Sequence, residues 1–230
     1  MRLSNLLISI CLLICVSTAT AQPQLKIRNE RFEMGSIPEQ SVVGHAFWFV
    51  STGTDTLVIT EIKTGCSCTM MPLESDRIAP GDSMLVDFCW DIKRRLGATG
   101  SYPYIFTNEG GEPHRVYLTG TIRNNSDTTF PVAFMPHRFE LSRFGNHSVD
   151  SIGFKVHNFS KEELRITQIS NYADECEINL PEMVPPEDEA FGYIKVKEQY
   201  LDTEFKRSIT VMFDKKNKSL LTVPIRRKIY

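Results

Sequence analysis

No side-chain pattern in these 230 residues marks a familiar kind of catalysis. There is no Gly-x-Ser-x-Gly elbow, no phosphate-binding glycine loop, no His-Glu-x-x-His and no dinucleotide fingerprint. The acidic residues are spread over turns and strand edges rather than gathered in pairs. These absences predict a protein that is not an enzyme. Excess charge is missing too. Lys and Arg number 26 against 28 Asp and Glu, a net charge of −2, so nucleic acid and anionic membrane surfaces are not expected partners. Long apolar patterns with a 3.6-residue period are absent, so helices should be few. After Ala21 no apolar run is long enough to span a bilayer, and no membrane insertion is expected of the mature chain.

What is present begins with an export signal. Arg2 gives the positive start, Leu6 to Val16 the apolar stretch, and Ala19-Thr20-Ala21 the small-residue cleavage site, so residues 1–21 read as a signal peptide. An uncleaved anchor is the alternative. Cys11 and Cys15 would leave with the signal, and neither follows a small residue as a lipoprotein acceptor would. Four cysteines remain in an oxidising compartment: Cys66, Cys68, Cys89 and Cys176. They allow three fully paired connectivities.

The mature chain is written in strands and turns. His45-Ala46-Phe47-Trp48-Phe49-Val50 alternates, Ser51-Thr52-Gly53-Thr54-Asp55 turns, and Leu57-Val58-Ile59-Thr60-Glu61-Ile62 is the next strand. The same text recurs. Phe32, Met34, Phe47, Phe49, Leu57, Ile59, Thr60 and Ile62 match Phe139, Leu141, Phe154, Val156, Leu164, Ile166, Thr167 and Ile169, each 107 positions on (139 − 32, 164 − 57). Constant spacing through two turns indicates a duplicated domain. Further on, Tyr104-Ile105-Phe106 is paired with Ile209-Thr210-Val211, and Val116 to Gly120 with Leu221 to Ile225. The expectation is an all-β protein of two tandem immunoglobulin-like β-sandwiches, residues 22–123 and 130–230, joined by a polar linker at 124–129. The short linker limits their relative motion. Each half offers about seven strands.

The first half resembles a bacterial exported family, the domain-of-unknown-function family fifteen-seventy-three, related to Hydin-type (ASH) immunoglobulin-like domains. The resemblance runs over residues ~30–122. It rests on Phe32-Glu33-Met34-Gly35-Ser36-Ile37, on His45 with Phe47 and Phe49, and on Thr52-Gly53 before Leu57-Val58-Ile59. It continues through Gly65-Cys66-Ser67-Cys68-Thr69, Ile78-Ala79-Pro80-Gly81-Asp82 and Arg95-Leu96-Gly97. The family's usual Ser-Cys-Gly-Cys-Thr has become Gly-Cys-Ser-Cys-Thr here, which makes a tight turn between the cysteines less easy. The second half looks like a diverged copy without the double cysteine. The resemblance implies an exported sandwich of Gram-negative envelopes, placed in the periplasm or at the outer surface. It implies no established activity.

Cys66 and Cys68 are the one chemically loaded pair. On an extended strand they would share a face about 6.5 Å apart, so bonding to each other needs a bend. Three roles are open: a structural disulfide or passive small side chains, a soft-metal site for copper or zinc, and a redox site. No spacing supports His45, Cys89 or His114 as a third ligand, and no other cofactor is expected. Cys89 should point away from the buried face of Val86, Phe88 and Trp90. Cys176 could be the second half's remnant of Cys68. His45 reads as a satisfied structural residue. Lys215-Lys216-Asn217-Lys218 reads as a solvated hairpin tip, and Arg226-Arg227-Lys228 as a guard on an edge strand. Thr56, Ser83, Thr128 and Ser151 each follow an Asp and precede an apolar residue or Thr, in turns or the linker, as bacterial O-glycosylation acceptors do. The leading function is protein–protein interaction or scaffolding in the cell envelope, with a partner the sequence does not identify. The runner-up is a thiol-based metal or redox protein.

Overall fold

A computed structural model describes residues 21–93, 96–123, 131–213 and 219–230. The signal stretch, the linker, Arg95, Thr128 and the 215–218 lysine tip fall outside these residues. The described chain is all β, with one short 3-10 turn at Glu198–Tyr200. No helix among the described residues is long and apolar enough to cross a membrane.

Alternating apolar residues build two separate cores. The first draws on Leu25 through Ile122, including Phe47, Phe49, Phe88, Trp90 and Leu118. The second draws on Val132 through Ile225, including Phe134, Phe139, Phe154, Ile194 and Phe213. In each half one four-stranded sheet covers the core. Its order is Leu25–Arg28, Val42–Ser51, Ser83–Asp91, Thr69–Met70 in the first half. In the second it is Val132–Met135, Ser151–Asn158, Glu189–Val196, Cys176–Asn179. Each half holds eleven strands when two-residue pieces are counted, because edges expected as single strands are broken into short bridges.

The opposite sheets join. Met183–Val184, Leu164–Tyr172, Phe205–Phe213 and Ser219–Arg227, with Phe139–Glu140 beside the last, continue through Arg31–Pro38 and Tyr117–Arg123 to Gly97–Ser101, in one eight-stranded sheet; His114–Arg115, Tyr104–Thr107, Leu57–Lys63 and Arg77–Ile78 form a separate four-stranded sheet in the first half. The halves meet in it at a single parallel pair, Ser36 with Leu221. Gly35 permits this approach. Its φ is +64°, and a Cβ there would overlap the Leu220 backbone. Thr222 reinforces the seam by donating to the Met34 carbonyl at 2.7 Å.

The register confirms the repeat and corrects its far end. Phe32 pairs with Leu118, and Phe139 pairs with Ile225, so the last strand also sits 107 on (225 − 118), not 105. Alternation repeats every two residues, so a slip of two leaves the apolar pattern unchanged and is invisible in the sequence. Thr107 lies beside Ile59, and Phe213 beside Ile166, which moves Tyr104 onto Thr210 rather than Ile209. Ile209, Thr210 and Val211 are all fully buried, because the first half covers the outer face of their strand, so alternation could not fix that register.

The C-terminal basic run is not an edge guard. Ser219–Arg227 is an interior strand, and Arg227 is only 1% exposed. Its guanidinium donates to the carbonyls of Leu201 (2.6 Å) and Leu141 (2.8 Å) and lies 2.9 Å from the Asp150 carboxylate. It satisfies backbone acceptors that burial would otherwise strand.

A disulfide turn and the groove beside it

Cys66 and Cys68 do not lie on a strand. They occupy the turn between Leu57–Lys63 and Thr69–Met70, and their sulfurs are bonded to each other with Cα atoms 5.2 Å apart. The required bend comes from two local features. Gly65 has φ +77°, a left-handed conformation glycine adopts without a Cβ clash. The Thr69 N–H then donates back to the Cys66 carbonyl at 3.4 Å, and the Thr64 hydroxyl donates to the same oxygen at 3.0 Å. Gly65 thus supplies freedom that Ser67 does not. Cys66 is exposed and Cys68 half-buried. The Asp91 N–H donates to the Cys68 carbonyl at 2.7 Å, and the Thr69 and Ser101 hydroxyls bond at 2.7 Å beneath the turn.

The turn forms one wall of an open groove. The floor and far wall are Trp90, Asp91, Gly100, Ser101 and Tyr102. Pro103 is the cause. In the second half Phe205–Phe213 is continuous and pairs with Leu164–Tyr172 as far as Tyr172 with Ser208. In the first half the equivalent strand is split into Gly97–Ser101 and Tyr104–Thr107, and pairing stops at Lys63 with Tyr104. Proline has no N–H to continue a ladder, so the strands part there. Sequence reasoning passed over Tyr102, Ser101 and this proline, although a proline within a β-like run was the available signal.

The other proposed site residues lie elsewhere. Cys89 faces away from the core as expected, yet it is buried, because Tyr172 and Arg207 of the second half cover that face. Burial pushes its thiol pKa up, and burial likewise pushes Cys176 up to about 12. Both are free thiols. Cys176 is not the counterpart of Cys68. Thr69 pairs with Trp90 and Cys176 with Val196, so Cys176 stands in the place of Thr69. Seven residues on from Ile62 is Thr69 and seven on from Ile169 is Cys176, so the spacing of 107 already sets Cys176 against Thr69, and the register bears it out.

His45 stacks on Phe32 at 3.8 Å, meets Phe47 edge-on, and bonds to the Ser170 hydroxyl at 2.8 Å. Burial lowers its pKa to about 4, so the ring is neutral at pH 7. His114 lies 2.9 Å from the Glu109 carboxylate. Among the described residues no three His, Cys, Asp or Glu side chains gather as a metal site would require. Of the acceptor hydroxyls, Ser83 and Ser151 are exposed and open their strands rather than sitting in turns. Thr56 is half-buried, one residue before its strand.

Besides Thr222 on Met34 and Ser170 on His45, the two halves are held by a further polar contact. The Ser208 hydroxyl accepts from the Gly44 N–H at 3.0 Å, and a Cβ on Gly44 would overlap the Tyr172 ring. Asp87 lies near Arg207 and Glu175 at this junction, and burial raises its pKa.

Residues 25–122, within the first sandwich, match the family described as Protein of unknown function (DUF1573); the second sandwich lies outside the match. None of the curated proteins is similar to the chain in sequence. Among solved structures, a protein of unknown function from Porphyromonas gingivalis W83 is 12% identical with a TM-score of 0.39, over 89% of this chain and 99% of that one. The seventh PapD-like (ASH) domain of human CEP192 is 10% identical with a TM-score of 0.38, over 49% of this chain and 94% of that one. The YadV chaperone is 10% identical with a TM-score of 0.30, over 88% and 98%. Likenesses at these scores carry no weight for what this chain does.

Proposed function

We propose that this chain is an exported, non-enzymatic protein-interaction or scaffold protein of the bacterial cell envelope, acting in the periplasm or at the outer surface. One observation carries the reading. The outer faces of the two equivalent four-stranded sheets both hold large apolar side chains in solvent: Trp48 and Leu85, each 43% exposed, on the first, and Phe191, 71% exposed, with Tyr193 on the second. Leu85 pairs with Trp48 and Phe191 with Lys155, so Leu85 and Phe191 occupy corresponding places. Apolar groups clustered on a surface favour a protein partner. Capture of the tagged mature protein from a cross-linked envelope should give a stoichiometric partner that a Leu85→Glu, Phe191→Glu double variant loses. A chain that stays solitary contradicts the reading.

A second reading has a specific support of its own. The Cys66–Cys68 bond is accessible at the groove, and its two-electron reduction would free two thiols for copper(I), zinc or thiol exchange. The reduced protein should then bind one metal ion per chain, or cycle its thiols, and Cys66→Ser with Cys68→Ser should abolish either. O-glycosylation at Thr56, Ser83, Thr128 or Ser151 would show as added mass on the exported chain.

A further inference from the structure

The Cys66–Cys68 turn is held by more than its disulfide. The Thr69 N–H and the Thr64 hydroxyl both donate to the Cys66 carbonyl, and the Asp91 N–H donates to the Cys68 carbonyl at 2.7 Å. None of these bonds involves sulfur, so they persist when the sulfurs part. Reduction by a dithiol moves two electrons and two protons onto Cys66 and Cys68 and leaves the reductant as a disulfide. The two thiols then stand on a backbone already bent, with Cα atoms 5.2 Å apart. Side-chain rotation alone takes the sulfurs from bonding distance to about 4.6 Å, twice a metal–thiolate bond.

The donor count selects the metal. Among the described residues no third His, Cys, Asp or Glu gathers with the pair. Cys89 and Cys176 are buried thiols elsewhere. Zinc takes four ligands in structural sites and three from the protein in catalytic ones, so this pair falls short of either shell. Copper(I), a soft closed-shell monocation, is satisfied by two thiolates in line.

The surroundings suit the complex so formed, which carries one net negative charge. The Thr69 hydroxyl lies 3.7 Å from the Cys66 sulfur and 4.0 Å from the Cys68 sulfur, and the Ser101 hydroxyl holds it at 2.7 Å. With Ser101 donating to Thr69, the Thr69 proton is free to turn to sulfur. Lys93 and Asp91 both line the groove, so its own charges cancel, and its open volume of about 380 Å³ gives the ion a way in.

We propose that the reduced Cys66–Cys68 turn is a two-coordinate copper(I) site that does not hold zinc, with Thr69 as the positioning residue that sets a hydrogen bond on the sulfurs. The ion enters as both thiol protons leave to solvent. There is one site per chain, because Ala173 and Glu175 stand in place of the two cysteines in the second half. This rests on the thiol reading and names its metal.

The test is titration of the dithiol-reduced mature protein, free of oxygen, with copper(I) held by the competing chelator bicinchoninate and, separately, with zinc(II). The reduced protein should withdraw one equivalent of copper(I), and X-ray absorption at the copper edge should show two sulfur neighbours and no nitrogen. Zinc should be lost on gel filtration, and the protein with its disulfide closed should take no copper. Cys66→Ser and Cys68→Ser should each abolish binding. Thr69→Val should weaken it about tenfold or more, and Thr69→Ser, which keeps the hydroxyl, should restore it. Zinc held as tightly as copper(I), a third protein ligand in the absorption spectrum, or copper bound equally well by Cys66→Ser overturns the proposal. If the reduced turn exchanges thiols with a dithiol yet leaves copper(I) on the chelator, the thiol reading stands and this inference falls.

Discussion

The carbonyls of Cys68 and Glu175 receive the same hydrogen bond. Asp91 donates to the first at 2.7 Å, and its counterpart Lys197 donates to the second at 2.9 Å. Ala173, Asp174, Glu175 and Cys176 therefore stand where Cys66, Ser67, Cys68 and Thr69 stand in the first half. The fastening differs. The first turn is closed by the disulfide and by Thr69 on Ser101. The second is closed by Glu175 on Arg207, the counterpart of Ser101, with Arg207 Nε donating to Glu175 Oε2 at 2.9 Å.

The two fasteners should have comparable worth. Closing so short a loop is worth about 1–2 kcal/mol in the chain-entropy account, so Cys66→Ala with Cys68→Ala should lower stability by that much. Glu175→Ala should cost about 2–3 kcal/mol, because it leaves a largely buried arginine without its charge-assisted bonds. Urea unfolding of both variants checks the pair.

The junction should fail first at its glycines. Gly35→Ala adds a Cβ into the Leu220 backbone and strains a positive φ, and Gly44→Ala drives a methyl into the Tyr172 ring. Each should cost about 2–4 kcal/mol. Gly44→Ala should also turn a single unfolding transition into two, visible by calorimetry, while Gly153→Ala should be near neutral.

Neighbouring arginines should behave in opposite ways. Arg227→Ala strands the Leu141 and Leu201 carbonyls and the Asp150 carboxylate, and should cost about 3–5 kcal/mol. Arg226 makes a surface pair with Glu140, and its removal should cost less than about 1 kcal/mol. Thermal unfolding separates the two outcomes.

His45 should make stability fall in mild acid. Its folded pKa of about 4 lies below the ordinary 6.5. The unfolded chain therefore binds the proton first, and stability is lost as pH falls from 6.5 towards 4, then levels off. The loss should be at most about 3.5 kcal/mol, at 1.4 kcal/mol per unit. Carboxylates titrate in part of the same window, so the measurement is the difference between the native protein and His45→Phe. That difference should change across pH 7 to 4 and stay constant below it.

Much of the fold was legible because strands and turns carry local signals. Phe32 and Phe139, or Leu57 and Leu164, announce the repeat without any structure. The late strands were misplaced because a slip of two preserves alternation, and because Ile209 to Val211 are buried on both faces. The cysteine pair was legible as chemistry. The groove beside it depends on Pro103, whose place within a β-like run was the available signal, and on Tyr102, which nothing local marks. The docking of the halves was not legible, since Gly44, Tyr172 and Ser208 lie far apart in sequence and meet only through the register.

The cysteines test the account most directly. Intact mass of the exported protein should be read after alkylation in denaturant, with and without prior reduction. Two labels are expected without reductant, on Cys89 and Cys176, and four with it, the added two on Cys66 and Cys68. Without denaturant, the buried thiols should take none. Four labels without reductant, or a mass carrying copper or zinc, would contradict the closed turn and move the thiol reading to the front.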